Sequence, residues 1–300
     1  MKFKGGIYAA QLVPYAADGS VKEKELSAMV ERNILVGGVD GLYIGGSTGE
    51  NFLNDSKAKT KVLEIAASVA KGRVSLIAQI GSLNMAEAEG LARQASKLGY
   101  DAVSAVTPYY YKFSFAETRE YYVRLAEAAG LPMLVYTIPA LTGSSFDMEQ
   151  LHQLYRHPLV AGFKYTSGDL FTMERLISSV PDRVVFSGYD ELLLFGRAIG
   201  AYGAIGSTYN LFAAHARKIW DAVEGGRLPE ARSLQAGLNG AIQEILAIGI
   251  YPCLKELVSF LSGIDVGNPL PPFAPLSAEG REQARKLGRD LVARGLLAQA

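Results

Sequence analysis

A single lysine, Lys164, lies in the middle of the otherwise uncharged segment VAGFKYTSG, residues 160–168. Lysine is among the residues least often buried, because removing an ammonium ion from water costs a great deal of free energy. A buried lysine therefore either pairs with a carboxylate or loses its proton. A neutral amine is a nucleophile that can form a Schiff base with a ketone or an aldehyde. We favour this catalytic interpretation over a structural ion pair, because ionisable groups in unusual surroundings cluster at active sites.

Two further segments offer groups that could serve such a lysine. Tyr136, in the apolar segment PMLVYTIP, could act as a proton carrier, although a lone buried tyrosine is more often simply hydrogen-bonded. The segment GGSTGE, residues 45–50, combines closely spaced glycines with the hydroxyls of Ser47 and Thr48. Exposed backbone N–H groups in such a turn bind anions. Since the segment lacks the lysine of a phosphate-binding loop, a carboxylate is as good a ligand as a phosphate.

The segment GYDE places two carboxylates, Asp190 and Glu191, next to each other. They could serve as an acid–base or metal site, or as charges at a helix N-terminus. Hydrogen bonding to ligand hydroxyls is the interpretation that we favour, because no histidine lies beside them. The three histidines fall in helix-like segments without metal-ligand spacing, so no metal site is predicted; they are His152, His157 and His215.

The elements that must position these residues follow a repeating pattern. Eight apolar segments, spread over residues 5–210, alternate with amphipathic stretches at 22–36, 56–70, 85–98, 115–129 and 147–155. Alternating strand and helix signals predict parallel strands. Eight such units favour an α/β fold of the closed (β/α)₈ TIM-barrel type. A doubly wound open sheet is the alternative, but it usually has fewer strands and a GxGxxG turn that opens its first helix.

The pattern changes to helices alone after about residue 225. Helical segments are predicted at 229–248, 251–261 and 277–297, with the proline-rich connection NPLPPFAPL between the last two. We therefore predict a catalytic barrel domain over residues 1–225 and a helical C-terminal appendage over residues 226–300 that packs on the barrel. The boundary rests only on this change of pattern.

In a barrel, the polar residues that close the strands face one shared pocket at the C-terminal ends. The two-residue period of strand six puts Gly162, Lys164 and Thr166 on one face, and Phe163 and Tyr165 on the other. The aromatic face suits the helix layer, so Lys164 should point into the barrel. The residues expected around the pocket are Ser47, Thr48, Tyr136, Lys164, Thr166, Gly188, Asp190, Glu191 and Ser207.

Composition limits the classes of partner. Thirty basic residues balance thirty acidic ones without a basic cluster, which argues against nucleic acid or an anionic membrane as partner. The single cysteine, Cys253, excludes an intrachain disulfide and suits a reducing cytoplasm. The N-terminal segment has no apolar core or small-residue cleavage site, so we predict no signal peptide. The uncharged window 128–146 is broken by prolines, and no membrane span is predicted.

Six segments together resemble the dihydrodipicolinate synthase-like class I aldolases, and among them the N-acetylneuraminate lyase subgroup. They recur in family order along nearly the whole chain: GLYIGGSTGE, VSAVTPYYYKFSF, YTIPALTG, FKYTSGDL, GYDE and GAIGSTYN. The subgroup is indicated by Ala140 and Leu141, where the synthases carry an arginine, and by the acidic GYDE, which the synthases lack. As a set these segments are far more specific than any one of them.

The resemblance implies a Schiff-base aldolase that reversibly cleaves N-acetylneuraminate, a sialic acid, to N-acetylmannosamine and pyruvate. It implies that Lys164 forms the Schiff base and that Tyr136 transfers the proton. If Tyr136 does not, Ser47 or a bound water is the next candidate for that role. Ser47 and Thr48 would bind the carboxylate of the pyruvyl group. The polyhydroxyl tail would be held by Thr166, Gly188, Asp190, Glu191 and Ser207.

Two further expectations follow from the same resemblance, and two alternatives stay open. Tyr110 would be the tyrosine that members of the family lend to a neighbouring subunit's site, in a homotetramer. The iminium would accept the electrons, so no metal or organic cofactor is expected. An aldolase or synthase for another 2-keto sugar acid remains an alternative. A noncatalytic sugar-acid sensor is a second one, against which the intact pair of Lys164 and Tyr136 argues.

Overall fold

A closed barrel of eight parallel strands forms the centre of the computed structural model, which describes residues 3–297. The strands follow one another around the barrel in chain order, and β8 pairs back to β1. Each predicted apolar segment contains one strand, so the predicted (β/α)₈ barrel is confirmed. The strands are β1 Gly6–Ala10, β2 Gly41–Ile44, β3 Ser75–Gln79, β4 Ala102–Val106, β5 Met133–Thr137, β6 Val160–Tyr165, β7 Val184–Ser187 and β8 Gly203–Gly206.

Helices surround the barrel, and several begin and end at the residues that capping chemistry predicts. Asp55 and Asp147 each accept a hydrogen bond from a backbone N–H of the first helical turn, and Gly99 and Gly130 end helices in the left-handed conformation. The helices that precede residue 225 are α1 Glu23–Leu35, α2 Ser56–Ala70, α3 Met85–Leu98, α4 Phe115–Ala129, α5 Pro139–Thr142, α6 Met148–Tyr155, α7 Leu170–Ser179, α8 Leu193–Ala198 and α9 Tyr209–Glu224.

Buried side chains form two layers, one inside the barrel and one between the barrel and the helices. Phe163 and Tyr165 of β6 belong to the outer layer. Lys164, which lies between them in sequence, points inward onto the rings of Tyr43 and Tyr136. The predicted alternation along β6 is therefore confirmed, because successive side chains of a strand point to opposite faces.

The chain after residue 225 is helical, as predicted: α10 Leu228–Ile248, α11 Ile250–Ser262 and α12 Ala278–Ala293. α10 packs against α8 and α9, and α12 packs against α10 and α11. The division into two domains stays a prediction, and its outer limits at residues 1 and 300 lie outside the described residues. In the described part of the chain, no single helix is long and apolar enough to cross a membrane. Only α10 and α11 taken together reach the length and apolar composition of a membrane span, and this pair is bent by 109°.

Candidate active site

A cavity of about 230 Å³ opens at the C-terminal ends of the barrel strands. We call it the mouth cavity. Nine of the ten residues predicted for the site line it: Ser47, Thr48, Tyr136, Lys164, Thr166, Gly188, Asp190, Glu191 and Ser207. Its position agrees with the rule that barrel enzymes carry their sites at this face.

Lys164 lies in the mouth cavity with only 5% of its surface exposed. Its Nζ is 3.7 Å from the ring centroid of Tyr136 and 4.8 Å from that of Tyr43. Lys164 and Tyr136 are direct partners in the register between β5 and β6. No carboxylate within residues 3–297 forms a salt bridge with Lys164. The structural ion pair that burial alone could have implied is therefore absent from the described chain, and the amine faces the aromatic rings of two tyrosines.

The turn after β2 forms one side of the mouth cavity. Gly45 has a left-handed φ of 79°, and Ser47–Gly49 form a single tight turn. The Thr48 and Ser207 hydroxyl oxygens are 2.6 Å apart, which joins the ends of β2 and β8. The backbone N–H groups of Ser47 and Thr48 donate to no protein acceptor in the described chain. Unsatisfied N–H groups in a tight turn are suited to binding an anion, and the role predicted for this turn stays a prediction.

Asp190, which follows β7, is held by the chain that follows β8. Its Oδ2 accepts hydrogen bonds from the backbone N–H of Thr208 at 2.8 Å and from the Thr208 hydroxyl at 2.6 Å. Its Oδ1 lies so close to Gly206 that a Cβ there would be 1.7 Å away. Asp190 is thus fixed in one orientation with one carboxylate oxygen already occupied.

Thr166 and Gly188 form a similar close pair. A Cβ at Gly188 would lie 1.9 Å from Thr166 Oγ1, so only glycine leaves room for that hydroxyl. Thr166 Oγ1 is buried and has no hydrogen-bond partner among residues 3–297. A buried hydroxyl without a partner costs free energy, which a ligand hydroxyl would recover.

Burial raises the pKa of Asp190 from its ordinary value of 3.8 to about 6, while the hydrogen bonds from Thr208 and the charge of Lys164 act in the opposite direction. The folded protein therefore binds more protons than the unfolded chain between about pH 4 and pH 6. This contribution to stability is present below the unfolded pKa and is lost as the pH rises through the folded pKa. A shift of about two units corresponds to roughly 3 kcal/mol.

We therefore expect Asp190→Asn to gain stability relative to wild type as the pH rises from 4 to 7.5. The asparagine has no proton to lose, and its amide oxygen can still accept the Thr208 N–H. Urea unfolding of both proteins at pH 4, 5, 6 and 7.5 measures the difference in the free energy of unfolding, which should shift by up to about 3 kcal/mol. Parallel pH profiles would contradict the raised pKa.

The C-terminal helices contribute to the mouth cavity, which the sequence analysis did not foresee. On α10, Gln235 donates to the Asp190 carbonyl and Asn239 to the Glu191 carbonyl, both at 3.2 Å. These two amides fix the turn that carries both carboxylates. Their spacing of four residues puts them on one helix face, but nothing local in the sequence shows which turn that face meets. The same helices supply an apolar wall made of Ile242, Leu246, Ile250 and Tyr251.

Tyr110 is the one predicted residue that does not line the mouth cavity. It lies on the surface with 84% of its area exposed, in a left-handed conformation with a φ of 74°, and its ring contacts Tyr111. Phe113, also exposed, continues the same aromatic surface. Tyr110 is the most exposed of the three, and Tyr111 and Phe113 are partly covered by the chain.

The arrangement combines a nucleophilic amine, a neighbouring phenol, an anion-binding turn and two carboxylates around one space. An amine and an adjacent proton carrier suit Schiff-base chemistry on a carbonyl compound. The turn would orient an acid group, and the carboxylates would accept hydrogen bonds from hydroxyls. No group of three or more histidine, cysteine, aspartate or glutamate residues suited to a metal ion occurs in residues 3–297.

Comparison with known proteins gives concordant matches. The model of the dihydrodipicolinate synthetase family matches residues 3–290. The chain is 46% identical to the N-acetylneuraminate lyase of Pasteurella multocida over 89% of this chain and 91% of that protein. The crystal structure of a Clostridium difficile protein in complex with mannosamine superimposes with a TM-score of 0.94 at 38% identity, covering 95% of this chain and 98% of that one. The structure of the N-acetylneuraminate lyase of Fusobacterium nucleatum complexed with pyruvate superimposes with a TM-score of 0.92 at 41% identity, covering 96% of this chain and 97% of that one.

Proposed function

The chain belongs to the dihydrodipicolinate synthetase family, and from this membership we infer that it is a Schiff-base aldolase. It cleaves N-acetylneuraminate reversibly to N-acetylmannosamine and pyruvate. The observation that carries the mechanism is the position of Lys164, a buried amine that lies against Tyr136 and has no salt bridge to a carboxylate among residues 3–297. The lyases of P. multocida and F. nucleatum, similar along almost the whole chain, support the choice of substrate.

In the cycle that we assign to these residues, Lys164 Nζ attacks the keto carbon of the open-chain sugar acid, and loss of water gives an iminium. Tyr136 takes the proton from the hydroxyl on the far side of the scissile carbon–carbon bond. The bond breaks, its electron pair enters the iminium to give an enamine, and N-acetylmannosamine leaves as the aldehyde. Protonation of the enamine and hydrolysis release pyruvate and restore the amine.

Two groups of residues in the mouth cavity divide the recognition of the substrate. Ser47 and Thr48 would bind the pyruvyl carboxylate through their backbone N–H groups, which donate to no protein acceptor in the described chain. Thr166, Gly188, Asp190, Glu191 and Ser207 would receive the polyhydroxyl tail, with Ser207 adjoining the first group through its contact with Thr48. Carboxylates that accept hydroxyl donors make charge-assisted hydrogen bonds, each worth roughly 1.5–3 kcal/mol.

The test of the substrate is pyruvate release from a panel of N-acetylneuraminate and keto-deoxy sugar acids that lack the glycerol tail. We expect the highest kcat/KM for N-acetylneuraminate, because substrates without the tail leave the carboxylates unpaired. A clear preference for a shorter keto acid would move the assignment to an aldolase or synthase for another 2-keto sugar acid. No pyruvate from any member of the panel would favour a noncatalytic sugar-acid sensor.

We expect Glu191→Ala to lower kcat/KM for N-acetylneuraminate by about one to two powers of ten, as for the loss of one charge-assisted hydrogen bond. Glu191 is half-buried in the wall of the mouth cavity. Imine formation with free pyruvate should stay nearly unchanged, because we assign that step to Lys164 and to the turn with Ser47 and Thr48. Equal losses in both assays would instead assign Glu191 to the support of the fold or of Lys164.

We also propose a homotetramer in which Tyr110 reaches the site of a neighbouring subunit. The exposed aromatic surface of Tyr110, Tyr111 and Phe113 supports this arrangement, since large exposed apolar patches mark interaction sites. Analytical ultracentrifugation at assay concentration should find tetramers, and Tyr110→Ala should lower activity more than stability. An active monomer would exclude a shared site.

The unpaired Cys253 supports a cytoplasmic location, which cell fractionation would test.

A further inference from the structure

A buried ion pair lies behind the turn that carries Ser47 and Thr48, outside the mouth cavity. Glu50 Oε1 lies 2.6 Å from Lys255 Nζ, and the two side chains are 0% and 1% exposed. At this distance the ammonium and the carboxylate form a close ion pair. Neither residue lines the mouth cavity.

Lys255 and Glu50 connect four separate parts of the chain. Lys255 Nζ donates to the carbonyls of Val13 at 3.0 Å and of Asn268 at 3.2 Å. Glu50 Oε2 accepts a hydrogen bond from the backbone N–H of Leu270. The pair therefore joins the segments after β1 and β2 to helix α11 and to the chain that follows it.

The backbone of Glu50 shows that the turn is held under strain. Its φ of 55° is left-handed, one of only two positive values at non-glycine residues in the described chain. This conformation costs roughly 1–2 kcal/mol for a residue with a Cβ, and a glycine would avoid that cost. The Glu50 N–H donates to the Ser47 carbonyl at 2.9 Å and closes the turn. Strained residues persist where the surroundings fix them, and here the fixing contacts are those of the side chain.

A tyrosine completes the support of the turn. The Tyr15 hydroxyl donates to the Gly49 carbonyl at 2.7 Å, and Lys255 Nζ lies 4.5 Å from the Tyr15 ring centroid. A Cβ at Gly49 would lie 3.1 Å from the Gln11 carbonyl, so the turn is also pressed against the segment after β1. Lys255 thus supports the turn directly through Glu50 and indirectly through Tyr15.

We propose that Glu50 and Lys255 are positioning residues that hold the backbone N–H groups of Ser47 and Thr48 in place for the pyruvyl carboxylate. The inference rests on the proposed function. It assigns to helix α11 a role in recognising the acid half of the substrate, from behind the turn. On the same helix, Ile250 and Tyr251 line the mouth cavity.

The test uses the double variant Glu50→Gln, Lys255→Met. Removing one partner of a buried pair leaves an unpaired charge and destabilises strongly, whereas neutral residues of similar size at both positions are often tolerated. We expect the pyruvate concentration for half-maximal borohydride trapping to rise about tenfold, which equals ~1.4 kcal/mol of binding. In the synthesis direction, KM for pyruvate should rise by the same factor, with KM for N-acetylmannosamine and the melting temperature little changed.

The matched control is Lys59→Met, Glu87→Gln. This pair is also largely buried, with Lys59 Nζ 3.0 Å from Glu87 Oε1, but it joins α2 to α3 away from the mouth cavity. Its removal should leave the melting temperature little changed, for the same reason, and should not change the dependence on pyruvate. A rise of both KM values in the Glu50–Lys255 variant, or an equal effect in the control, would overturn the proposal in favour of a general structural role.

Two further outcomes keep the interpretation unambiguous. If pyruvate and borohydride do not label the wild-type protein, the proposed function itself fails. If wild type is labelled and the double variant shows the same dependence on pyruvate, the positioning role alone fails.

Should the double variant not fold, the variant Glu50→Asp tests the positioning role, since it keeps the charge but shortens the side chain by one methylene. We expect it to need several-fold more pyruvate, and an unchanged dependence would overturn the proposal.

Discussion

Lys164→Ala is expected to abolish turnover while the protein stays folded, and this is the largest effect that we predict. Without the amine no imine forms, and the carbon–carbon bond loses the electron sink that its cleavage requires. The fold should tolerate the change because Lys164 has no salt bridge to break in the described chain. Circular dichroism and thermal unfolding check the fold, and a pyruvate-release assay checks the activity.

Borohydride trapping identifies the lysine that forms the imine, and it contains its own control. Reduction with borohydride in the presence of pyruvate should add one label to the wild-type chain, and peptide mass spectrometry should place it on Lys164. Lys255 is equally buried but is paired with Glu50, so it should stay unlabelled. A label on another lysine, or no adduct at all, would rule out the assigned mechanism.

Tyr136→Phe is expected to lower cleavage of N-acetylneuraminate by about 10²–10⁴-fold, the range for loss of a positioned proton carrier. The phenylalanine ring would keep the contact with Lys164 Nζ, which is 3.7 Å from the centroid of the present ring. Borohydride trapping of pyruvate should therefore persist in the variant. Imine formation without cleavage separates the role of the hydroxyl from that of the ring.

Tyr165→Phe provides a matched control for this substitution. Tyr165 lies on β6 next to Lys164, but its side chain belongs to the outer layer between barrel and helices. Loss of its hydroxyl should leave the rate of cleavage close to wild type. Near-normal turnover of Tyr136→Phe would mean that another group transfers the proton, with Ser47 the next candidate.

Much of the fold followed from local patterns. Strand β6 shows why, since a period of two residues and the chemistry of burial together placed Lys164 inside and Phe163 outside. The positions of helix ends also depend on local sequence, because the caps at Asp55 and Gly99 need only neighbouring residues. The shared pocket followed once eight strands were counted, because a closed barrel brings the strand ends together.

The remainder depends on contacts between residues far apart in the chain. Lys255 pairs with Glu50 across about 200 positions, and Gln235 reaches the turn at Asp190 from a helix that was predicted only as an appendage. No periodicity in a window of ten or twenty residues contains such a contact. Tyr110 was selected through family resemblance, and its exposed position leaves its role to the oligomer experiment.

The close approach of Gly206 to Asp190 has a consequence for protein engineering. A methyl group at position 206 would occupy the space of the carboxylate, and one at position 188 would occupy that of the Thr166 hydroxyl. Neither glycine can be varied alone in a library aimed at new sugar acids without displacing a partner from the wall of the mouth cavity. Libraries should therefore randomise these positions in pairs, 188 with 166 and 206 with 190, so that each gain in volume on one strand is met by a loss on its neighbour.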